Sequence, residues 1–395
     1  MRYRTDIKTN NRLSALGFGC MRFPNNPESA ENLILEAFKS GINYFDTAYL
    51  YRNNEATLGS ILEKHSLREK VYIATKLPIY LIRNTSDFDK YFNIEIERLR
   101  TNYIDYYLMH MIAGPEQWTN LCALGIEKWI ADKKQSGAIR QIGFSFHGPS
   151  DNFSKLLEAY PWDFCQIQYN YSDENFQAGV QGLKKAASMG IPVIIMEPLL
   201  GGKLATGLSP DALNAFREAN PSLSPAAWGL RWLLNQPEVT VILSGMNQIE
   251  QLTENIATVD NMEIGALTEE ELKVIENVRD IFRASNKIPC TGCAYCIPCP
   301  RHVNIPGCFS AYNAYFTMGA KTGNALYQTS IAALAEQETR ASLCISCKKC
   351  EAHCPQGIKI SEELKNVSAL MEPWWFYHGL KVLRFVLGKN KKKQK

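Results

Sequence analysis

Residues 42–76, INYFDTAYLYRNNEATLGSILEKHSLREKVYIATK, decide the fold. The stretch opens on a short run rich in Ile, Tyr and Phe (42–47), passes into a segment of helical period (56–64) and returns to an apolar run (71–76). A strand, a crossover helix and a second strand parallel to the first produce that pattern. The alternation continues in both directions. Strands are predicted at 16–22, 42–47, 71–76, 104–110, 139–144, 164–169, 192–197 and 239–244. Helices are predicted at 30–39, 56–64, 88–99, 125–135, 153–159, 180–188, 226–234 and 249–257. Gly41, Gly137 and Gly190 each follow a predicted helix, where a left-handed terminating residue is wanted, and Pro192 opens the next strand. Eight such units in about 250 residues suit a closed (β/α)8 TIM barrel. An open doubly wound sheet is the alternative, but no GxGxxG follows the first strand. A barrel places catalytic groups at the C-terminal ends of its strands.

Composition sets the limits around this core. A chain of 395 residues has room for two or three domains. With 46% hydrophobic, 21% charged and 11% aromatic residues it is a folded globular protein, which excludes disordered, collagenous and low-complexity classes. The formal charge of +3 conceals an asymmetry: seven positive charges and no acid follow Glu372, leaving the rest of the chain at −4. A mildly acidic body argues against nucleic acid as a general partner. The start, MRYRTDIKTNN, has charge but no apolar h-region, and nowhere do eighteen apolar residues run together. Nine of the twelve cysteines lie between Cys290 and Cys354. Such clustering without a secretory start predicts a reducing, cytoplasmic location rather than a disulfide scaffold.

These shifts predict three segments: a barrel over 1–283, closed by a charged helix at 268–283; a smaller, mainly helical cysteine domain over 284–372; and a basic, aromatic tail over 373–395. The tail, PWWFYHGLKVLRFVLGKNKKKQK, reads as a short amphipathic helix with Trp374, Trp375, Phe376, Leu383 and Phe385 on its apolar side. It is too short to span a bilayer. Packing against the cysteine domain is favoured over contact with an anionic membrane surface.

Four polar residues fall at or just beyond predicted strand ends: Asp46, Tyr51, Lys76 and His110. Taken singly each has an ordinary reading, as a helix cap, a solvated lysine or a satisfied core histidine. On consecutive β-α units they make a carbonyl-reduction site. A phenol with its ordinary pKa of about 10 donates a proton poorly near neutrality unless a cation stabilises the phenolate. Lys76 supplies that cation, Asp46 holds the ammonium, and His110 orients the carbonyl oxygen and shares in proton transfer.

At these positions the sequence resembles the aldo-keto reductase superfamily over roughly residues 10–282. FDTAYLYRNNEATLG, IATKL and DYYLMH resemble that family's FDTAxxYG segment, lysine strand and histidine strand. The resemblance implies that Asp46, Tyr51, Lys76 and His110 form a catalytic tetrad, that Tyr51 is the general acid, and that the cofactor is NAD(P)H. It assigns Ser145 in IGFSFHG and Gln166 in CQIQYN to the nicotinamide carboxamide, with Phe146 standing where Asn is usual. IPVIIMEPLLGGKL resembles the segment that stacks on nicotinamide, here through Met196 in place of an aromatic ring. The same segment wraps the pyrophosphate through Leu199, Gly201, Gly202 and Lys203. SGMNQIEQLTEN places Gln251, Glu254 and Asn255 at the adenine end. Gly245, Met246 and Gln251 occupy positions where the family uses Lys, Ser and Arg to grip a 2′-phosphate, so a preference for NADPH over NADH does not follow.

The cysteine domain holds two motifs, CTGCAYCIPCP (290–300) and CISCKKCEAHCP (344–355). Thiolates two residues apart wrap three corners of one iron cube while a fourth points to another cube; zinc knuckles are the alternative use of CxxC pairs. The region resembles bacterial-type two-cluster ferredoxins, in a helical variant with a long spacer. That resemblance implies two 4Fe-4S clusters, one on Cys290, Cys293, Cys296 and Cys354, the other on Cys344, Cys347, Cys350 and Cys299. Cys308 is an alternative ligand or a buried thiol, and Cys20, Cys122 and Cys165 read as barrel core. The whole reads as an enzyme reducing a small-molecule aldehyde or ketone, with the clusters structural, regulatory or a route to a redox partner protein. The alternative is an electron-transfer protein whose barrel docks a nucleotide or a redox partner.

Overall fold

The computed structural model describes residues 1–382 apart from Asn25, Arg52, Glu336, Phe376 and Leu380. Its contacts divide the chain into two compact units, Met1–Leu199 with Ala226–Leu272, and Leu200–Pro225 with Lys273–Lys395.

In the first unit a short antiparallel hairpin, β1 (Tyr3–Thr5) and β2 (Arg12–Ser14), precedes eight parallel strands. These are β3 (Leu16–Gly19), β4 (Tyr44–Asp46), β5 (Tyr72–Leu77), β6 (Ile104–Ile112), β7 (Ile139–Phe146), β8 (Phe164–Gln168), β9 (Val193–Met196) and β10 (Val239–Ser244). They close into a barrel in which β10 pairs with β3, so the TIM barrel stands and the open sheet does not. All eight predicted strands are present, because both faces of a barrel strand are covered and the strand reads as a nearly continuous apolar run.

Two departures have local causes. Residues 20–22, expected to prolong the first strand, form a 3-10 turn, Cys20–Arg22. Asn54 Nδ2 donates to the carbonyls of Cys20 at 2.7 Å and Met21 at 3.2 Å, engaging these acceptors outside the sheet ladder. The hairpin and the helix Pro115–Ala123 went unpredicted, the former because three-residue strands carry too little alternation to register. Cys20 and Cys165 are buried as expected, whereas Cys122 is only half-buried.

The N-terminal half of the barrel is filled with apolar side chains. Tyr106 sits between Tyr44 and Phe164, ring centroids 5.2 and 5.1 Å away, and Leu13, Ala74, Leu108, Ile194, Val241 and Leu243 belong to the same cluster. A packed lower barrel leaves the C-terminal strand ends for polar groups.

In the second unit the helices Ile305–Thr317, Ala320–Ser330 and Ile360–Met371 enclose a core of Ile288, Val303, Phe309, Tyr327, Leu364 and Val367. Six cysteines of the two motifs pack against it: Cys290, Cys296, Cys299, Cys344, Cys350 and Cys354. Glu372 ties the spacer to the last helix, accepting from Tyr327 Oη at 2.5 Å, Arg340 at 2.7 Å and the Ser342 amide at 3.1 Å. The described tail residues 374–375, 377–379 and 381–382 are helical and pack on this core through Tyr377, as expected, but the two tryptophans are not on the packed side. Trp374 and Trp375 are 76% and 71% exposed, and Tyr377 takes the packed position, its hydroxyl donating to Glu338, which also pairs with Lys381 at 2.7 Å. Phe376, Leu383, Phe385 and the terminal lysines lie outside the described residues. Among the described residues no helix is long and apolar enough to cross a membrane.

Candidate active site

The predicted tetrad converges at the C-terminal end of the barrel. Asp46 ends β4 and Lys76 lies one residue before the end of β5. Both are buried, and Lys76 Nζ donates to Asp46 Oδ1 at 2.6 Å and to the Thr47 carbonyl at 2.7 Å. Such a pair offsets its desolvation only when its hydrogen bonds are good. Gln166 on β8 adds a bond from Nε2 to Asp46 Oδ2 at 2.9 Å, so both carboxylate oxygens are engaged.

Tyr51 stands in the loop after β4, half-buried, its amide donating to the Ala48 carbonyl at 3.0 Å. Lys76 Nζ lies 5.1 Å from the centre of the Tyr51 ring, and the His110 ring meets that ring edge-on at 6.2 Å. His110 is on β6 beside a register shift between Met109 and Ile112. Bulges of this kind re-aim side chains near active sites. Met111 takes a left-handed φ of 59°, and its amide donates to Ser145 Oγ at 2.9 Å. Ser145 therefore anchors the bulge that carries His110.

A second imidazole enters this field. His147 directly follows β7 and is close enough to His110 to depress it electrostatically. Burial first, then Lys76 and His147, push the His110 pKa well below the ordinary range. Burial and Lys76 also lower His147, to about 4, although the Gln177 side chain works in the opposite direction. Both rings are thus neutral donor-acceptors near pH 7 rather than cations. Sequence reasoning passed over His147, yet a polar residue just past a predicted strand end was the available signal.

Stability should follow these rings. The unfolded chain binds a proton at His147 below the ordinary 6.5 while the folded chain resists until about 4. The native state is therefore least penalised above 6.5 and loses stability as pH falls from there towards 4. Denaturant titrations across that window should show the loss, and His147→Gln should reduce it, leaving the share that His110 contributes. An identical pH dependence in the variant would show that His147 is not buried neutral.

The residues expected at the nucleotide are placed as follows. Ser145 and Gln166 are adjacent across β7 and β8, both buried, and Gln166 Oε1 has no hydrogen-bond partner. A buried acceptor left open beside the Lys76–Asp46 pair suits a carboxamide N–H, so the residues fit the cofactor. Met196 ends β9 half-buried. Leu199 closes the first stretch of the first unit. Gly201 and Gly202, at φ of 66° and 94°, and Lys203 belong to the second unit, where Lys203 Nζ contacts Asn286 at 3.4 Å. On the helix Ile249–Asp260, Glu254 is exposed, Gln251 Oε1 accepts from the Asn247 amide at 3.0 Å, and buried Asn255 donates to Ser244 Oγ at 3.1 Å.

In the second unit the thiols group across the two motifs. Cys296, pushed up to about 12 chiefly by burial, interacts with Cys293, Cys290 and Cys354, and these four line one small cavity. Cys350, raised to about 11 by the same cause, interacts with Cys344 and Cys299. Cys354 thus stands with the first motif and Cys299 with the second, a crossed arrangement that fits two cubic clusters. Cys308 is a buried core thiol, its Sγ 3.8 Å from the Thr339 carbonyl.

Comparison with known proteins agrees with this geometry. Residues 15–280 match the Aldo/keto reductase family. The chain belongs to that family. This aldo/keto reductase also matches a 4Fe-4S dicluster domain over residues 289–359. An uncharacterized oxidoreductase, YqkF, of Bacillus subtilis (strain 168) is 28% identical over 305 residues, covering 69% of this chain and 95% of its own. The NADH-specific methylglyoxal reductase of Escherichia coli (strain K12) is 27% identical over 271 residues, covering 58% and 81%. The holo form of aldo-keto reductase AKR11C1 from Bacillus halodurans superposes with a TM-score of 0.60 at 25% identity, covering 70% of this chain and 96% of that one. The aldo/keto reductase described here is accordingly an NAD(P)H-dependent oxidoreductase that joins a TIM barrel to a domain for two 4Fe-4S clusters.

Proposed function

We propose that the protein reduces an aldehyde or ketone, with Tyr51 as the general acid. The observation that carries this reading is the buried ammonium of Lys76, held by Asp46 at 2.6 Å and lying 5.1 Å from the centre of the Tyr51 ring. When bound, NAD(P)H supplies hydride to the carbonyl carbon. The chain's own residues then handle the oxygen. Tyr51 Oη donates a proton to it, Lys76 stabilises the phenolate that forms, and Asp46 keeps the ammonium aimed. His110, neutral through burial, orients the carbonyl by a hydrogen bond without competing for charge. Gln166 steadies Asp46 through Nε2 and leaves Oε1 for the carboxamide.

No basic side chain occurs between Ser244 and Asn255, so nothing there rewards a 2′-phosphate. Anaerobic assays of an aldehyde and ketone panel should show carbonyl-dependent oxidation of both nucleotides, with kcat/KM values within about tenfold of each other. Nucleotide oxidation indifferent to every carbonyl would instead favour the electron-transfer reading. The crossed thiol sets are what keep that second reading in view. Bleaching of cluster absorbance by NADH or NADPH without a carbonyl is its signature.

A further inference from the structure

The two thiol sets face different surroundings. The cavity of the first set is walled by Ile305, Pro306, Phe309, Ile358 and Ile360, all but Pro306 buried. The loop carrying the second set lies open. Ile345 is 60% exposed, and Ser346, Cys347, Lys348 and Lys349 are exposed with it. Ser346 and Lys348 both take left-handed backbone, with φ of 54° and 58°, so the loop turns sharply twice between its cysteines. Arg301, two residues after Cys299, is exposed as well. The acid nearest this loop in sequence, Glu351, is occupied: its Oε1 accepts from the amide and hydroxyl of Ser361 at 2.8 and 2.6 Å. An exposed apolar side chain and three exposed cations, of which Lys348 is attracted by Glu351, thus lie on the segments that carry Cys299 and the exposed thiol of Cys347.

We propose that the set formed by Cys299, Cys344, Cys347 and Cys350 is the electron port of the dicluster domain, and that it serves an acidic one-electron carrier protein docking on Ile345, Lys348, Lys349 and Arg301. Redox encounters of this kind use small interfaces, in which an apolar contact brings the centres close and complementary charge sets the encounter rate. One electron passes per encounter: the carrier is oxidised as the second cluster is reduced, or the reverse. In the first set all four thiols are half-buried, whereas the second presents one exposed thiol, Cys347. This inference rests on the dicluster domain and not on the carbonyl chemistry.

The test follows electron transfer from a chemically reduced, acidic 2Fe-2S ferredoxin to the full-length protein by anaerobic stopped flow. The second-order rate should fall at least tenfold between about 20 mM and about 500 mM salt. The double variant Lys348→Glu, Lys349→Glu should lower it by a similar factor at low salt, with iron content and the spectra of both clusters unchanged. A small neutral reductant should reduce variant and wild type alike. Should charge reversal disturb the loop, the salt dependence of the wild type gives the answer by itself. A rate that is flat with salt at full cluster content overturns the port alone. Iron and sulfide analysis showing no second cluster overturns it together with the dicluster assignment. An oligonucleotide that competes for the lysines without slowing the ferredoxin overturns it in favour of nucleic acid.

Discussion

Replacing Tyr51 by Phe lowers kcat for carbonyl reduction by about 10²–10⁴-fold and leaves nucleotide binding and the fold intact. Only one hydroxyl is removed, from a half-buried loop residue whose backbone is held independently by the Ala48 carbonyl. Lys76→Met lowers the rate as severely, but the cause is mixed. Lys76 is among the largest fully buried side chains, and its loss strands the buried Asp46 carboxylate. Breaking such a pair on one side costs about 3–5 kcal/mol of stability. The double variant Lys76→Met, Asp46→Asn separates the effects: it regains thermal stability while remaining inactive. Single-turnover kinetics with saturating nucleotide and carbonyl, alongside melting curves, supply both readouts. Full activity in Tyr51→Phe would remove the general-acid assignment, and recovery of activity in the double variant would remove the role of Lys76.

The second large effect concerns ligands distant in sequence. Cys354→Ala should have the phenotype of Cys290→Ala, and Cys299→Ala that of Cys344→Ala, each losing one cluster and about half the iron and sulfide. Cys308→Ala should lose none, since its thiol lies in the core against the Thr339 carbonyl. Because a site of this kind assembles only in the folded chain, cluster loss should also lower the melting temperature of the second unit. Iron and sulfide analysis with electron paramagnetic resonance of the reduced protein distinguishes the two centres. If Cys354→Ala loses the same signal as Cys350→Ala, the ligands remain within their own motifs and the crossed grouping fails.

Much of the molecule is legible in the sequence alone. Strands 104–110, which the structure extends to Ile112, and 239–244 read clearly because barrel strands are apolar on both faces, and the left-handed glycines at 41, 137 and 190 mark helix ends by a purely local need. The packed side of the tail read poorly. Two tryptophans suggest burial by composition, whereas burial goes to whichever ring finds partners, here Tyr377 with Glu338 close by. His147 was missed for a related reason, since its neutrality arises first from burial and then from Lys76, which no linear motif displays.

By itself the sequence determined the eightfold β-α alternation, the residue types of the candidate site and the spacing of the two cysteine motifs. These are matters of periodicity and local chemistry, written within a few residues of one another. Only the tertiary structure decided that the sheet closes, β10 against β3, and that both oxygens of Asp46 are engaged, one by Lys76 and the other by Gln166, 120 residues away. It also decided that the loop around Cys347 faces solvent. Those facts depend on burial and on contacts between distant segments, and burial sets the cost of every charge and thiol that function requires.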